Sequence, residues 1–206
     1  MVWYHFISLI AFFLCLTGLA FHLIRLIRLG SPTDYSRQRG NVAAGVAYSF
    51  VGAMDPRKKE SAYLHLPTYA AGLLYHSGTF ISLILFPLLL LDVRLGDTLR
   101  WCVAGFLTLS VGSGTGIFLK RIAVAKIRSL SNPDDYISNF LVTLFQLSTL
   151  LVMIYGGYTA FYFVSVSLLF LYLPVGKLKH ALYFFAARYH LGLFYGWRGI
   201  WPVRRT

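Results

Sequence analysis

Polar and apolar positions along this chain fall into blocks rather than alternating. Residues 2–24, 61–91, 101–119 and 136–176 contain no Asp, Glu, Lys or Arg. A helix needs about 20 apolar residues to cross roughly 30 Å of hydrocarbon, so each of the first three blocks predicts one spanning helix. The fourth block predicts two, divided at Gly156-Gly157, where glycine permits a tight reversal. Barrel strands would alternate in polarity over about ten residues, and runs such as 83–91 show no alternation. The expected fold is therefore all-α and integral to a membrane. It is a single five-helix bundle with spans over about 2–24, 67–91, 101–119, 136–155 and 158–176, followed by a cytoplasmic tail over 177–206.

Composition agrees. Hydrophobic residues make up 57% of the chain and charged residues 13%, about half the charge of a soluble domain. The 17 Phe, 14 Tyr and four Trp suit a protein with interfacial anchors. The net charge of +12 raises nucleic acid as a partner, but its distribution argues otherwise. With the N-terminus outside, the inner segments 25–60, 120–135 and 177–206 hold 17 of the 19 Lys and Arg, and only Arg94 and Arg100 lie in an outer loop. Positive residues stay cytoplasmic, which predicts N-out, C-in and leaves no basic stripe for nucleic acid. The first span has no basic residues before it and Arg25 and Arg28 after it, so it reads as a retained helix and not a signal peptide. Residues 31–60 read as a cytoplasmic loop or short amphipathic segment. Cys15 and Cys102 are far apart, without a CxxC pattern, and read as packing residues.

Six histidines carry the candidate chemistry: His5, His22, His65, His76, His180 and His190. No His-Glu-x-x-His occurs and no acid lies inside a predicted span, which argues against a zinc hydrolase and a carboxylate proton relay. Neutral imidazole is, however, an axial ligand of haem iron. His76 lies nine residues in from Pro67, about 13 Å along the second span, and His180 lies at the cytoplasmic end of the fifth, so both belong to one leaflet. At 100° per residue His65, Tyr69, Gly72, His76 and Thr79 share a stripe, and Gly72 leaves room for a flat ring. The competing reading of His76 is a histidine bonded across a helix interface; that of His180 is a wet interfacial residue. His5 and His22 read as interfacial or packing residues. His65 and His190 could form a second haem pair, but both fall outside the hydrocarbon and His190 is rotated about 80° from His180, which argues against it. Gly112-Ser113-Gly114-Thr115-Gly116 lacks the lysine and the strand of a phosphate loop and reads as a close-packing surface.

Leu73-Leu74-Tyr75-His76-Ser77-Gly78 and Leu173-Pro174-Val175-Gly176-Lys177-Leu178-Lys179-His180 resemble the ligand helices of the respiratory nitrate reductase gamma-subunit family of cytochromes b. Tyr183–Pro202, with Phe184-Phe185-Ala186-Ala187-Arg188 and Gly196-Trp197-Arg198-Gly199-Ile200-Trp201-Pro202, is more similar to the cytochrome b subunits of sulfate reducers' transmembrane complexes. The resemblance implies a subunit of a hetero-oligomeric respiratory complex in a bacterial or archaeal inner membrane. It would carry electrons between the menaquinone pool and a cytoplasmic iron–sulfur subunit, alongside other membrane subunits. Haem b would be ligated by His76 and His180 and packed by Tyr69, Tyr75 and Tyr183. Lys177, Lys179 and Arg188 would pair with propionates or an acidic partner surface, or anchor the inner leaflet. The family's second ligand on helix two falls here at Phe86, followed by Pro87, and 158–170 holds no histidine. One haem is therefore expected, and the outer one is in doubt. The alternative is a haem-free membrane anchor of such a complex; a small transporter is disfavoured by the lack of inverted symmetry and intramembrane carboxylates.

Overall fold

The helices follow the charge-free blocks, and three of them overrun a block edge. A computed structural model describes residues 2–30, 33–58, 62 and 64–203. The basic residues Lys59, Arg204 and Arg205, which entered the topology argument, lie outside the described residues. Helices account for all the regular structure there: α1 (Trp3–Arg28), α2 (Val42–Phe50), α3 (Leu66–Leu90), α4 (Asp97–Ala123), α5 (Ala125–Ser129), α6 (Pro133–Tyr155), α7 (Thr159–Tyr172) and α8 (His180–Trp197), with short 3-10 turns between some of them. By length and composition α1, α3, α4 and α6 can each cross a membrane. The shorter α7 qualifies only when joined across its break to 177–197. This is the fold of an all-helical, multi-pass membrane protein with four to five spans.

Local chemistry explains the ends. Helix α4 runs past the charge-free block through Lys120 and Arg121, because long basic side chains favour helix and snorkel toward polar headgroups. Helix α6 starts on a capping box: Asn132 accepts from the Asp135 amide, and Asp135 accepts from the Asn132 amide, both at 3.0 Å. It ends at Gly156, whose φ of 67° places the reversal where the sequence predicts it. Helix α7 stops two residues before Pro174, which lacks the amide that another turn would need.

Two compact units divide the chain. One comprises the residues up to 18 together with 67–178; the other comprises 19–66 together with 179 onward. In the first unit Leu85, Ala104, Leu107, Leu150 and Met153 form one core cluster. A second is aromatic: Phe86, only 4% exposed, meets Phe170 edge-on at 5.0 Å and also faces Phe12 and Phe163. Between α3, α4 and α6 lies a buried polar network. Fully buried Gln146 donates from Nε2 to the Tyr75 carbonyl (2.9 Å) and the Thr79 hydroxyl (2.7 Å), and its Oε1 accepts from Ser110 (2.7 Å). The Tyr75 hydroxyl donates to the Asn139 carbonyl at 2.9 Å. Inside hydrocarbon such groups find no water, so bonds of this kind hold spans together.

In the second unit α2 packs antiparallel on α8 through glycines. A Cβ on Gly45 would stand 2.4 Å from the Gly196 Cα, and one on Gly192 would stand 2.4 Å from the Val46 Cα. The backbones touch because both helices present small residues there, Gly192 and Gly196 at i, i+4. Asn41 caps α2 by accepting from the Ala44 amide, and Ser49 donates to the Arg188 carbonyl at 2.7 Å. Residues 31–60 thus contain a docked apolar helix.

Candidate functional site

Gly72 and His76 sit one turn apart on α3 and face outward. The His76 ring is exposed, and its Nδ1 lies 2.7 Å from the Gly72 carbonyl. A carbonyl can only accept, so Nδ1 carries the proton of that bond. In a neutral ring the lone pair is then on Nε2, away from the helix. Nothing lies within 4 Å of the position a Gly72 Cβ would take. Tyr69, one turn earlier, is half-buried. The stripe does not extend to Thr79, which turns inward to Gln146 and donates to the Tyr75 carbonyl at 2.8 Å. His65 precedes α3, in a turn, and is exposed.

His76 belongs to the first unit, while His180, exposed at the start of α8, belongs to the second. The other expected pocket residues have their own partners. Lys177 forms an ion pair with Asp135, a carboxylate only 6% exposed that Arg121 also approaches at 3.4 Å. The Tyr183 hydroxyl lies 3.3 Å from His22 Nδ1. The Arg188 guanidinium stacks over Phe184 at 5.6 Å. His190 is half-buried on α8. His5 accepts from the Val2 amide and packs on Phe163. Of the small-residue run in α4, Gly114 is a packing contact, its Cβ position 2.4 Å from the Tyr75 ring, whereas Gly112 and Gly116 face open space.

Among the described residues no three or more His, Cys, Asp or Glu gather to hold a metal ion. What α3 offers is a single oriented imidazole beside an open glycine, and such a donor suits one face of a haem iron. No family model, curated protein or solved structure matches the chain.

Asp135 and Gln146 are the residues that the sequence reading passed over. Each holds helices in place and neither faces the His76 surface. The second unit has its own polar lock: Arg198 Nη1 donates to Asp34 Oδ2 at 2.6 Å, and Trp197 Nε1 donates to the Ser36 carbonyl at 2.7 Å. Hydrogen bonds from the Ser36 hydroxyl and amide, with a smaller contribution from Arg198, hold the Asp34 carboxyl below its usual 3.8. A depressed folded pKa stabilises the folded state above the unfolded pKa, and that stabilisation is lost as pH falls through the folded value. Protection of the 36–41 amides, taken relative to their intrinsic exchange rates at each pH, should therefore fall below about pH 4. Asp34→Asn should remove that pH dependence; an unchanged profile in the variant would assign the transition to another group.

Proposed function

We propose that this chain is a membrane cytochrome b subunit of a respiratory redox complex, with His76 as one axial ligand of a b haem. The observation that supports this most is the outward His76 ring, fixed through Nδ1 to Gly72 so that Nε2 is presented beside an uncovered helix face. The second ligand proposed from the sequence is His180. The haem would supply one-electron transfer; the protein would fix its depth, ligation and burial. Phe86 and its aromatic neighbours fill the region where the resembling family has a second ligand, which favours a single haem. Menaquinone, a cytoplasmic iron–sulfur subunit and further membrane subunits complete the proposal. So do a bacterial or archaeal inner-membrane location and the N-out, C-in orientation.

Gly72 gives a test that separates cofactor binding from folding. A Cβ added there meets no atom within 4 Å, and leucine is the better helix former by about 0.8 kcal/mol. Gly72→Leu should leave the bundle's thermal stability unchanged or raised, yet reduce the low-spin signal in a reduced-minus-oxidised spectrum at least fivefold. Loss of stability together with the signal would mean that Gly72 serves packing instead. His76→Ala and His180→Ala should each abolish the low-spin spectrum while the helix content stays intact. For orientation, a reporter active only in the cytoplasm should work when fused after Thr206 and fail in the 92–96 loop. The reverse pattern would overturn the proposed leaflet.

A further inference from the structure

The second unit carries charge and apolar surface in an unusual combination. Its segments, 19–66 and 179–206, hold twelve Lys and Arg against Asp34, Asp55 and Glu60, a net +9 of the chain's +12. Yet Arg188 is the only charged residue within its two packed helices α2 and α8. The face of α8 turned away from Gly192 and Gly196 bears Phe184, Ala187, Leu191 and Phe194 at helical spacing, and all four are exposed. Arg188 and Arg198 lie over the Phe184 and Phe194 rings, at 5.6 and 3.7 Å, so each guanidinium borders this stripe.

The depth of the stripe follows from α1. That helix is continuous from Trp3 to Arg28 and long and apolar enough to span, and its last turns belong to this unit. His22 of α1 meets Tyr183 of α8 at 3.3 Å. His22 is six residues short of Arg28, about 9 Å along the helix. The first turn of α8 thus lies at the level of the end of a membrane span, where Arg25 and Arg28 mark the headgroups. A helix at that depth that holds three Phe, three Tyr and Trp197, with Arg188 and Arg198 beside two of the rings, carries the aromatic and basic residues of the headgroup level.

We infer that this unit is an anionic-lipid-binding module: the Phe184–Leu191–Phe194 face of α8 lies among acyl chains just below the headgroups, and the net +9 charge selects phospholipids with anionic headgroups over zwitterionic ones. The inference does not depend on haem. A soluble acidic partner would match the charge, but it would have to cover an apolar stripe at the edge of a membrane span; lipid satisfies both features together.

The test uses the full chain with Cys15→Ala and Cys102→Ser, carrying a bimane label at Leu191→Cys, reconstituted without other proteins in phosphatidylcholine vesicles containing phosphatidylglycerol. Tyr35→Cys, at a residue 95% exposed in the polar loop, supplies the aqueous reference, and Phe184→Cys supplies a second position on the stripe. Acrylamide serves as quencher because the positive unit would concentrate iodide. Acrylamide quenching at 191 and 184 should be at least fivefold weaker than at 35. At equal lipid content, brominated phosphatidylglycerol should quench the stripe labels at least twofold more than brominated phosphatidylcholine. Acrylamide access at the stripe equal to that at 35 would overturn the interfacial placement and leave the face to a soluble partner. Equal quenching by the two brominated lipids would overturn the selection of anionic headgroups.

Discussion

Valine at position 78 should cost the first unit about 3–5 kcal/mol and leave α3 loosely attached to α4 and α6. A Cβ on Gly78 would fall 2.0 Å from the Ser110 Oγ and 2.5 Å from its Cβ. Ser110 must therefore move, and its bond to Gln146 goes with it. Gln146 is fully buried, so its orphaned Oε1 cannot recruit water; an unpaired buried acceptor costs about 1–3 kcal/mol. Overpacking adds about as much again. The contrast within α4 is instructive. Gly114→Val meets the Tyr75 ring and should destabilise, whereas Gly112→Val, two residues away with open space, should be nearly neutral. Thermal unfolding in detergent would check all three. A double change, Gly78→Ala with Ser110→Gly, should lose less than the sum of its parts, because removing the serine side chain frees the space that the new methyl needs. Strict additivity would show that the two residues do not share a contact.

Gly192→Val should release α2 from α8. The nearest atoms to a Cβ there are the Val46 Cα at 2.4 Å and the Gly45 carbonyl oxygen and Val46 amide at 3.0 Å. These are backbone atoms, so no rotamer change relieves the clash and the helices must separate. Separation also removes the Ser49 to Arg188 bond and weakens the Trp197 anchor on Ser36. A loss of about 3 kcal/mol corresponds to roughly a hundredfold faster exchange of the amides in 42–50, at tenfold per 1.4 kcal/mol. Native-state hydrogen exchange would read this directly, with α6 amides as the unaffected internal reference. Protection at 42–50 equal to that of the parent chain would refute the close backbone contact.

Four of the five expected spans were legible because charge is so costly in hydrocarbon that its absence over 20 residues is informative. The fifth, expected over 158–176, is a 14-residue helix that reaches spanning length only when joined across a 72° bend to 177–197, which the sequence marks as a tail. The Gly156 reversal was legible for a similar reason: a glycine pair interrupts a 41-residue charge-free run, and glycine readily takes the left-handed conformation that such a reversal uses. The Gln146 network left a signal too. Asn139, Thr143 and Gln146 recur at i, i+4 and i+7, a polar stripe on an apolar helix, and that pattern identifies an interhelical face. The α2–α8 contact left almost none. Gly45 and Gly192 are far apart in sequence, and glycines that permit close approach look like glycines in any loop. At the candidate site, the helical wheel placed Gly72 beside His76 correctly. It could not tell that Thr79 turns inward, because periodicity does not reveal what stands opposite. Lys177 illustrates a different limit: its partner Asp135 lies 42 residues earlier, next to a capping box that makes the acid read as local helix chemistry.

The central question is whether His76 holds a haem. The most direct measurement is the haem-to-protein ratio of the purified full chain by pyridine haemochrome, for the parent, His76→Ala and Gly72→Leu, with helix content recorded on each sample. About one haem per chain is expected in the parent, fixed at that number by two axial imidazoles. Essentially none is expected in His76→Ala and a clear deficit in Gly72→Leu, all three with the same helix content. A folded parent chain that binds no haem, or a His76→Ala variant that retains a full complement, would refute the ligand role of His76.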